Sequence, residues 1–451
     1  MAGAISVGGL STGLDTNKII DQLVRLERRP IDLLSDQVAA TQRTKSAIGM
    51  LSSKLTAFRS AADALDTAAE VLVRRAASSD TTVATATAGS GAQRGTATLT
   101  VTRLARGSVA GATVGKSSDT DTVAGGPGTF RFQVGDGEAQ SVALTATTTL
   151  QELANAVTAL DAGVSGTVVN FGTAAAPDYR LQLTSTDTGA SSTITILNDG
   201  TDLAVQTTQT GLNAQFTVSG FSTTFEREAN TFDDVLPGVT IALKAAGTTT
   251  VSIDDDVEAI VAKVQALVTA YNDIRGFVAG ETTVESGGDQ DELQLGSLAG
   301  NSTVRGVIGR LQETLTGALG AATTQYVNLA SLGLATQRDG TILFTEATLR
   351  DALASNPTAV AQVFAGNGTD GGVASGLVSL ITELTAVDGA VSRQATSLDD
   401  RIASLQDEID AGERNIQTFE VSLRQQFAAL EGLVASLQSQ GSFLAQALRG
   451  F

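Results

Sequence analysis

The chain contains no cysteine and no histidine. Thiol nucleophiles, disulfides, Cys or His zinc ligands and the usual imidazole base are therefore excluded together. Most familiar hydrolytic and metal chemistries go with them, so the expectation is a protein that is not an enzyme and uses no cofactor. A cysteine-free chain also suits passage into an oxidising exterior, where no mispairing can follow. Tryptophan is absent and aromatics make up only 4% of the 451 residues, so the cores must be built mainly from Val, Leu, Ile and Ala. Positive charge is scarce as well. The formal net charge is −19, and it is unevenly placed: residues 1–75 carry 10 Lys and Arg against 8 Asp and Glu, leaving 19 against 40 for the rest. Such an acidic body repels nucleic acid and anionic lipid, and the Arg28-Arg29 and Arg74-Arg75 pairs read as solvated faces.

Long apolar runs are missing too. No stretch approaches the ~18 to 20 uninterrupted apolar residues needed to cross a bilayer. The first twenty residues hold one basic side chain, Lys18, and no apolar run of the kind a secretory signal needs. The expectation is a soluble protein with no membrane insertion, exported, if at all, by a route that hydropathy does not reveal. The length predicts about two to four domains.

What is present is helical periodicity at both ends. From Asp15 to about Leu72 apolar residues recur at helical spacing, with Ile19, Leu23 and Leu26 on one stripe, then Leu33, Leu34 and Val38, then Ile48, Leu51, Leu55 and Phe58. Asp15 or Thr16 is the expected N-cap, and Pro30 is expected to break or kink the run, with a second helix starting at Ile31. Around Ala76 the text changes to Thr, Ser, Gly and Ala with alternation of period two, as in Ala97, Leu99 and Val101. Residues 77–253 therefore read as mostly β. One helix is predicted inside this block, because Thr149 and Glu152 match a capping box ahead of Leu150, Leu153, Val157 and Leu160. The Gly-rich stretch 107–128 and the turns near Gly211 suggest one β module inserted in another. After Ile253 helices return, apart from a hairpin expected over Ser331–Phe344 around Asp339-Gly340.

The strongest pattern is the last one. Leu398, Ile402, Leu405, Ile409, Gly412, Ile416, Phe419 and Leu423 alternate steps of four and three, which is a heptad seam. A second step of four leads to Phe427, after which Leu430, Val434, Leu437, Gly441, Leu444 and Leu448 resume it. Two consecutive four-residue steps form a stutter, where a supercoil should locally unwind. A helix with one apolar stripe cannot bury it alone. Its partner is expected first among helices of other subunits in trans, with the N-terminal stripe in cis or an ordinary intramolecular hairpin as the alternatives.

Other motifs carry little chemistry. Gly366, Gly368 and Gly371 spell GxGxxG, but they follow helical residues where a nucleotide fold needs a strand, so a loop is expected. Asp254, Asp255 and Asp256 lack calcium-loop spacing and read as helix capping and dipole residues. Asn301-Ser302-Thr303 and Asn367-Gly368-Thr369 match the glycosylation triplet, which is common by chance.

Several motifs resemble one family in order along the chain. Ile5-Ser6-Val7-Gly8-Gly9-Leu10-Ser11-Thr12-Gly13-Leu14-Asp15, continuing through Leu23 and Glu27, is similar to the start of flagellar filament-cap proteins, the hook-associated protein 2 family. Val235-Leu236-Pro237-Gly238-Val239-Thr240 and Tyr271-Asn272 resemble the family's later part. Leu332-Gly333-Leu334, Asp339-Gly340 and Asn356-Pro357 resemble a segment shared with related axial proteins, and Gln438-Ser439-Gln440 with Phe443-Leu444 resembles the cap-like ending. Leu430, Leu433 and Leu437 stand where members often have Met, a volume-conserving exchange. Residues 110–210 are covered only loosely.

The resemblance implies an α+β multidomain fold: helical coiled-coil termini, a helical leg domain formed from both chain ends, and two nested β-rich head domains. The expected division is 1–45 coiled-coil segment, 46–79 with 254–389 leg domain, 80–109 with 213–253 first head domain, 110–212 inserted outer domain, and 390–451 C-terminal helix. It further implies a secreted protein at the distal tip of the bacterial flagellum, where a homo-oligomeric ring promotes folding and insertion of exported flagellin. Implied partners are a second copy of itself, flagellin, a hook-associated junction protein and an export chaperone on the C-terminal helix. Rival readings are a hook–filament junction subunit or a surface adhesin. The residues expected to carry assembly are Ile19, Leu23, Leu26 and the seam from Leu398 to Leu444.

Overall fold

The computed structural model describes residues 15–89, 91–286, 293–317, 325–367 and 371–448. The opening motif before Asp15 and the central residues of the GxGxxG and Asn367 motifs lie outside them. Two compact units form, one from Met1–Val71 with Val261–Phe451 and one from Leu72–Ile260.

The first unit is built on α1 (Thr16–Asp63). Its N-cap is Asp15, whose carboxylate accepts a hydrogen bond from the Lys18 amide at 3.1 Å. The helix runs through Pro30 without interruption, so the second helix expected to start at Ile31 does not form. An interior proline costs about 3 kcal/mol. Here the ring is solvent-exposed and the apolar residues on either side, Ile20 and Ile31, are buried, so packing outweighs the lost hydrogen bond. After α2 (Ala68–Val71), the chain leaves for the second unit.

In that unit all the paired strands are antiparallel. β1 (Arg74–Ser78), β2 (Ala84–Ala88), β3 (Gly95–Arg103) and β4 (Val109–Ala112) lead to β5 (Gly128–Val134) and β6 (Gln140–Leu144). Then come α3 (Leu150–Ala159), β7 (Val164–Asn170), β8 (Tyr179–Ser185), β9 (Ile194–Asp199) and β10 (Val205–Gln209). β11 (Ala214–Val218), β12 (Thr224–Arg227), β13 (Thr231–Leu236), β14 (Val239–Leu243) and β15 (Gly247–Asp255) complete it. The sheets have the orders β1-β15-β3-β11-β12, β13-β14-β2, β10-β4-β8-β7 and β6-β5-β9.

Two hydrophobic clusters separate along the sequence. One gathers Phe130, Phe132, Leu150, Leu153, Leu181, Leu183 and Ile194. The other gathers Leu99, Val101, Phe216, Val239, Ile241 and Val251. The chain passes between them twice, and its two crossings pair with each other: the Arg106 amide donates to the Leu212 carbonyl at 2.9 Å and the Leu212 amide returns at 3.0 Å. Backbone lies so close there that a Cβ on Gly211 would meet the Gly189 carbonyl oxygen at 2.1 Å, which accounts for glycine at the crossing. Asn230 acts as a side-chain strand beside it, accepting from the Ala105 amide at 2.7 Å and donating to the Ala105 carbonyl at 2.9 Å.

The capping box of α3 forms in both directions, with Glu152 N to Thr149 Oγ1 at 3.2 Å and Thr149 N to Glu152 Oε2 at 2.9 Å. The aspartate run divides its roles. Asp255 belongs to β15, where its nearly buried carboxylate pairs with Arg74 and Arg94, while Asp256 Oδ1 accepts from the Ala259 amide at 3.1 Å. Arg74 is therefore part of a largely buried ion pair and not a solvated charge, because strand pairing of β1 with β15 places it opposite Asp255.

The chain returns to the first unit through α4 (Val257–Thr282), the hairpin β16 (Val284–Ser286) and β17 (Leu293–Leu295), and α5 (Ser302–Thr316). A second hairpin pairs β18 (Leu334–Thr336) with β19 (Ile342–Phe344) around Gly340, which has φ +82°. The expected hairpin starts later than Ser331, because Leu329–Leu332 forms a tight helical turn instead. One face of α4 holds this hairpin: Tyr271 Oη donates to the Gly340 carbonyl at 3.0 Å, and Asn272 exchanges two 2.8 Å bonds with the backbone of Ile342. α6 (Glu346–Ser355) and α7 (Pro357–Ala365) meet at Asn356, whose side chain caps α7. α8 (Val373–Thr385) and α9 (Ala390–Leu448) finish the chain. Among the described residues one span, Val373–Leu444, is long and apolar enough by length and composition to cross a membrane, with mean hydropathy 1.3 over 18 residues. α8 itself ends after 13 residues, short of the ~20 a spanning helix needs, and its Leu377, Ile381 and Leu384 are buried.

Candidate assembly interface

No cluster of three or more metal-capable side chains occurs among the described residues, and the candidate site is a surface made by α1 and α9. The two helices pack against each other, and their cross-contacts fix an antiparallel register. Lys45 pairs with Asp399, Gly412 faces Ile31, Arg28 Nη2 donates to Glu413 Oε2 at 2.7 Å, and Thr16 Oγ1 donates to Glu431 Oε1 at 3.4 Å. A Cβ on Gly412 would lie 2.9 Å from Ile31 Cδ1, so the glycine lets Ile31 sit down on the α9 backbone. Arg28 is thus tied across the helix pair, whereas Arg29 is exposed. These exposed ion pairs specify register more than they stabilise, being worth about 0–1 kcal/mol each.

Burial along the α9 seam falls from its start to its end. Leu405 and Ile416 are 1% and 4% exposed, and Leu398, Ile402 and Ile409 are half-buried. Leu423 and Phe427, on either side of the stutter, are half-buried as well, as is Val434, while Phe419 sits at the edge of the seam with 36% exposure. Beyond them Leu430, Leu437 and Leu444 are 53%, 56% and 60% exposed. The inner half of the predicted seam is therefore covered in cis by α1, and the outer half presents its apolar residues to solvent.

The face of α1 that is buried in cis is not the stripe of Ile19, Leu23 and Leu26. Ile19 is half-buried, and Leu23 and Leu26 are exposed. Ile20 and Ile31 are buried and Val24 half-buried, and Ile31 sits against Gly412 of α9. A signal for this was present: Ile20, Leu34, Ile48, Leu55 and Ala62 are spaced by multiples of seven, so counting back from the strongly apolar stretch after Ile48 selects Ile20. Leu433 and Phe443, outside the residues expected to carry assembly, are 59% and 73% exposed.

Comparison with known proteins agrees with this architecture. The family model of the flagellar hook-associated protein 2 N-terminus matches residues 12–108, and that of the flagellar hook-associated protein 2 C-terminus matches residues 211–439. The A-type flagellar hook-associated protein 2 of Pseudomonas aeruginosa is 28% identical, over 99% of this chain and 98% of that protein. The flagellar hook-associated protein 2 of Escherichia coli is 26% identical, over 98% of both. Among solved structures, the crystal structure of the flagellar cap protein of Escherichia coli superimposes with a TM-score of 0.66 at 25% identity, covering 78% of this chain and 99% of that one. With the C-terminal model alone spanning half of the sequence and the N-terminal model preceding it in order, the chain belongs to the flagellar hook-associated protein 2 family, the flagellar cap proteins.

Proposed function

We propose that this chain caps the flagellar filament as a homo-oligomeric ring at its distal tip, promoting folding and insertion of exported flagellin and preventing its loss as monomer. The observation that carries the reading is the divided seam of α9: its inner half is sealed by α1, while Leu430, Leu433, Leu437, Phe443 and Leu444 stand exposed on one long helix. Exposed apolar residues in such a row mark a protein–protein contact. In this reading the outer half of α9 meets helical segments of a second copy, of flagellin and of the hook-associated junction protein, and an export chaperone covers it before secretion. Each contact is individually weak, as a cap that must move while subunits insert beneath it requires. We further propose that 80–109 with 213–253 and the inserted 110–212 act as two head domains, one around each of the hydrophobic clusters of the β unit, with 46–79 and 254–389 as the leg. The role is structural and involves no reaction. Immunogold electron microscopy of intact flagella with antibody against residues 110–212 tests it. Label confined to filament tips is expected; label at the filament base would replace the proposal with a junction role, and label over the cell surface with adhesion.

A further inference from the structure

A cavity of about 330 Å³ lies between α4 and α5, within the helical unit. Its charged lining is Arg275 from α4 and Arg305 from α5, and no Asp or Glu lines it. In a chain of net charge −19, a concave surface carrying two guanidinium groups and no carboxylate stands out. Arg275 is fixed in place. Its Nη2 donates to the Asp339 carbonyl at 2.5 Å, and its guanidinium lies so close to Gly340 that a Cβ there would meet Nη2 at 2.2 Å. Its Nε is buried on the same side, 2.8 Å from where a Cβ on Gly340 would lie, so this edge of the guanidinium belongs to the hairpin and not to the cavity. Among the described residues Arg305 reaches the Gly300 carbonyl, at 3.5 Å, and is otherwise exposed. The first turn of α5, capped by Asn301, opens at the same cavity and adds the positive end of a helix dipole. Val278 and Ile308, one turn further along the same two helices, supply apolar lining.

We propose that this cavity binds a small organic carboxylate, with the carboxylate held between Arg275 and Arg305 and a short apolar body against Val278 and Ile308. Planar guanidinium groups match a carboxylate in geometry, and the apolar wall disfavours an inorganic anion that must keep its full hydration shell. The site does not depend on the capping role and can fail independently of it.

The test is isothermal titration of the full-length chain with butyrate and, separately, inorganic phosphate at fixed ionic strength. Saturable binding of butyrate in preference to phosphate is expected. Arg305→Gln should weaken it about tenfold. Gly309→Leu, at a cavity-lining position where an added Cβ meets nothing within 4 Å, should fill the space and abolish binding while leaving thermal unfolding of the helical unit intact. No saturable heat with butyrate at tens of millimolar, preference for phosphate, or full binding by Gly309→Leu would each overturn the proposal.

Discussion

Leu437→Asp and Ile416→Asp make the same chemical change at two points of one helix and should have opposite consequences. Leu437 is 56% exposed, so the free chain loses little, within about 0.5 kcal/mol. Its neighbours Leu430, Leu433, Phe443 and Leu444 are 53%, 59%, 73% and 60% exposed. Burying the remaining half of each such side chain stabilises a contact by about 1 kcal/mol, or about 5 kcal/mol for the five, on the order of a thousandfold in association. An aspartate at the centre of that row removes one of these contributions and adds the several kcal/mol needed to desolvate a carboxylate. Association should fall by about a hundredfold or more. Ile416, 4% exposed against α1, behaves otherwise: its loss and the buried charge should cost the helical unit about 3–5 kcal/mol. The transition of residues 72–260 should persist, because that unit is held by its own clusters. Sedimentation velocity over a concentration series, with calorimetric melts of the same samples, reads both effects. Self-association of Leu437→Asp at wild-type concentrations would refute the reasoning, as would loss of the β unit's transition in Ile416→Asp.

Three other outcomes are expected. Gly340→Ala forces a Cβ into the left-handed region, at φ +82°, and against the Arg275 guanidinium; calorimetry should show the helical unit destabilised by about 1–3 kcal/mol. Thr149→Ala removes one side of the α3 capping box and should lower the β unit's stability by about 1 kcal/mol in a urea titration, with the helical unit unmoved. Within the β unit, hydrogen bonds from Thr82, Ser117, Gln215 and Arg227 hold the carboxyls of Asp80, Asp121, Glu226 and Asp234, respectively, below their usual range. Groups lowered by folding stabilise above their unfolded pKa, about 4, and that stability is lost as pH falls through the folded values. Unfolding of this unit followed by circular dichroism should therefore begin only below about pH 4, and a midpoint near pH 6 would contradict it.

Local rules were legible in the sequence wherever the deciding atoms are close along the chain. The capping box at Thr149, the turn at Asp339-Gly340 and the period-two strands around Leu99, Phe130 and Phe216 each formed where spacing placed them. What local spacing could not show shares one origin, a partner distant in sequence. Arg74 looked solvated because Asp255, the carboxylate it shares with Arg94, meets it only after β1 pairs with β15. Pro30 looked like a break because nothing nearby announces that α9 will pack along α1. The stripe at Ile19, Leu23 and Leu26 differs from the buried one by a rotation of one residue. Local periodicity cannot choose between two adjacent stripes, whereas the phase of the core beyond Ile48 does. The Arg275 and Arg305 cavity carried no motif at all, since its two arginines come from separate helices.

The antiparallel register explains why one apolar pattern serves two purposes. The paired positions Lys45 with Asp399, Ile31 with Gly412, Arg28 with Glu413 and Thr16 with Glu431 keep a nearly constant sum of residue numbers, so the described part of α1 reaches Glu431 and no farther. Seam residues on the inner side of that point meet a cis partner as α9 folds, and Leu405 and Ile416 become buried. Beyond it the same heptad repeats, and no described residue of α1 lies alongside it. The stutter at Leu423 and Phe427 lies just inside the boundary, where it re-phases the stripe after the section committed to α1. A continuous seam can thus fix the fold at one end and leave the other for association, with the boundary set by register. Shifting that boundary is the corresponding test: removal of Arg28's partner by Glu413→Ala should leave the outer residues' association unchanged, whereas Ile31→Asp should unseat the inner half.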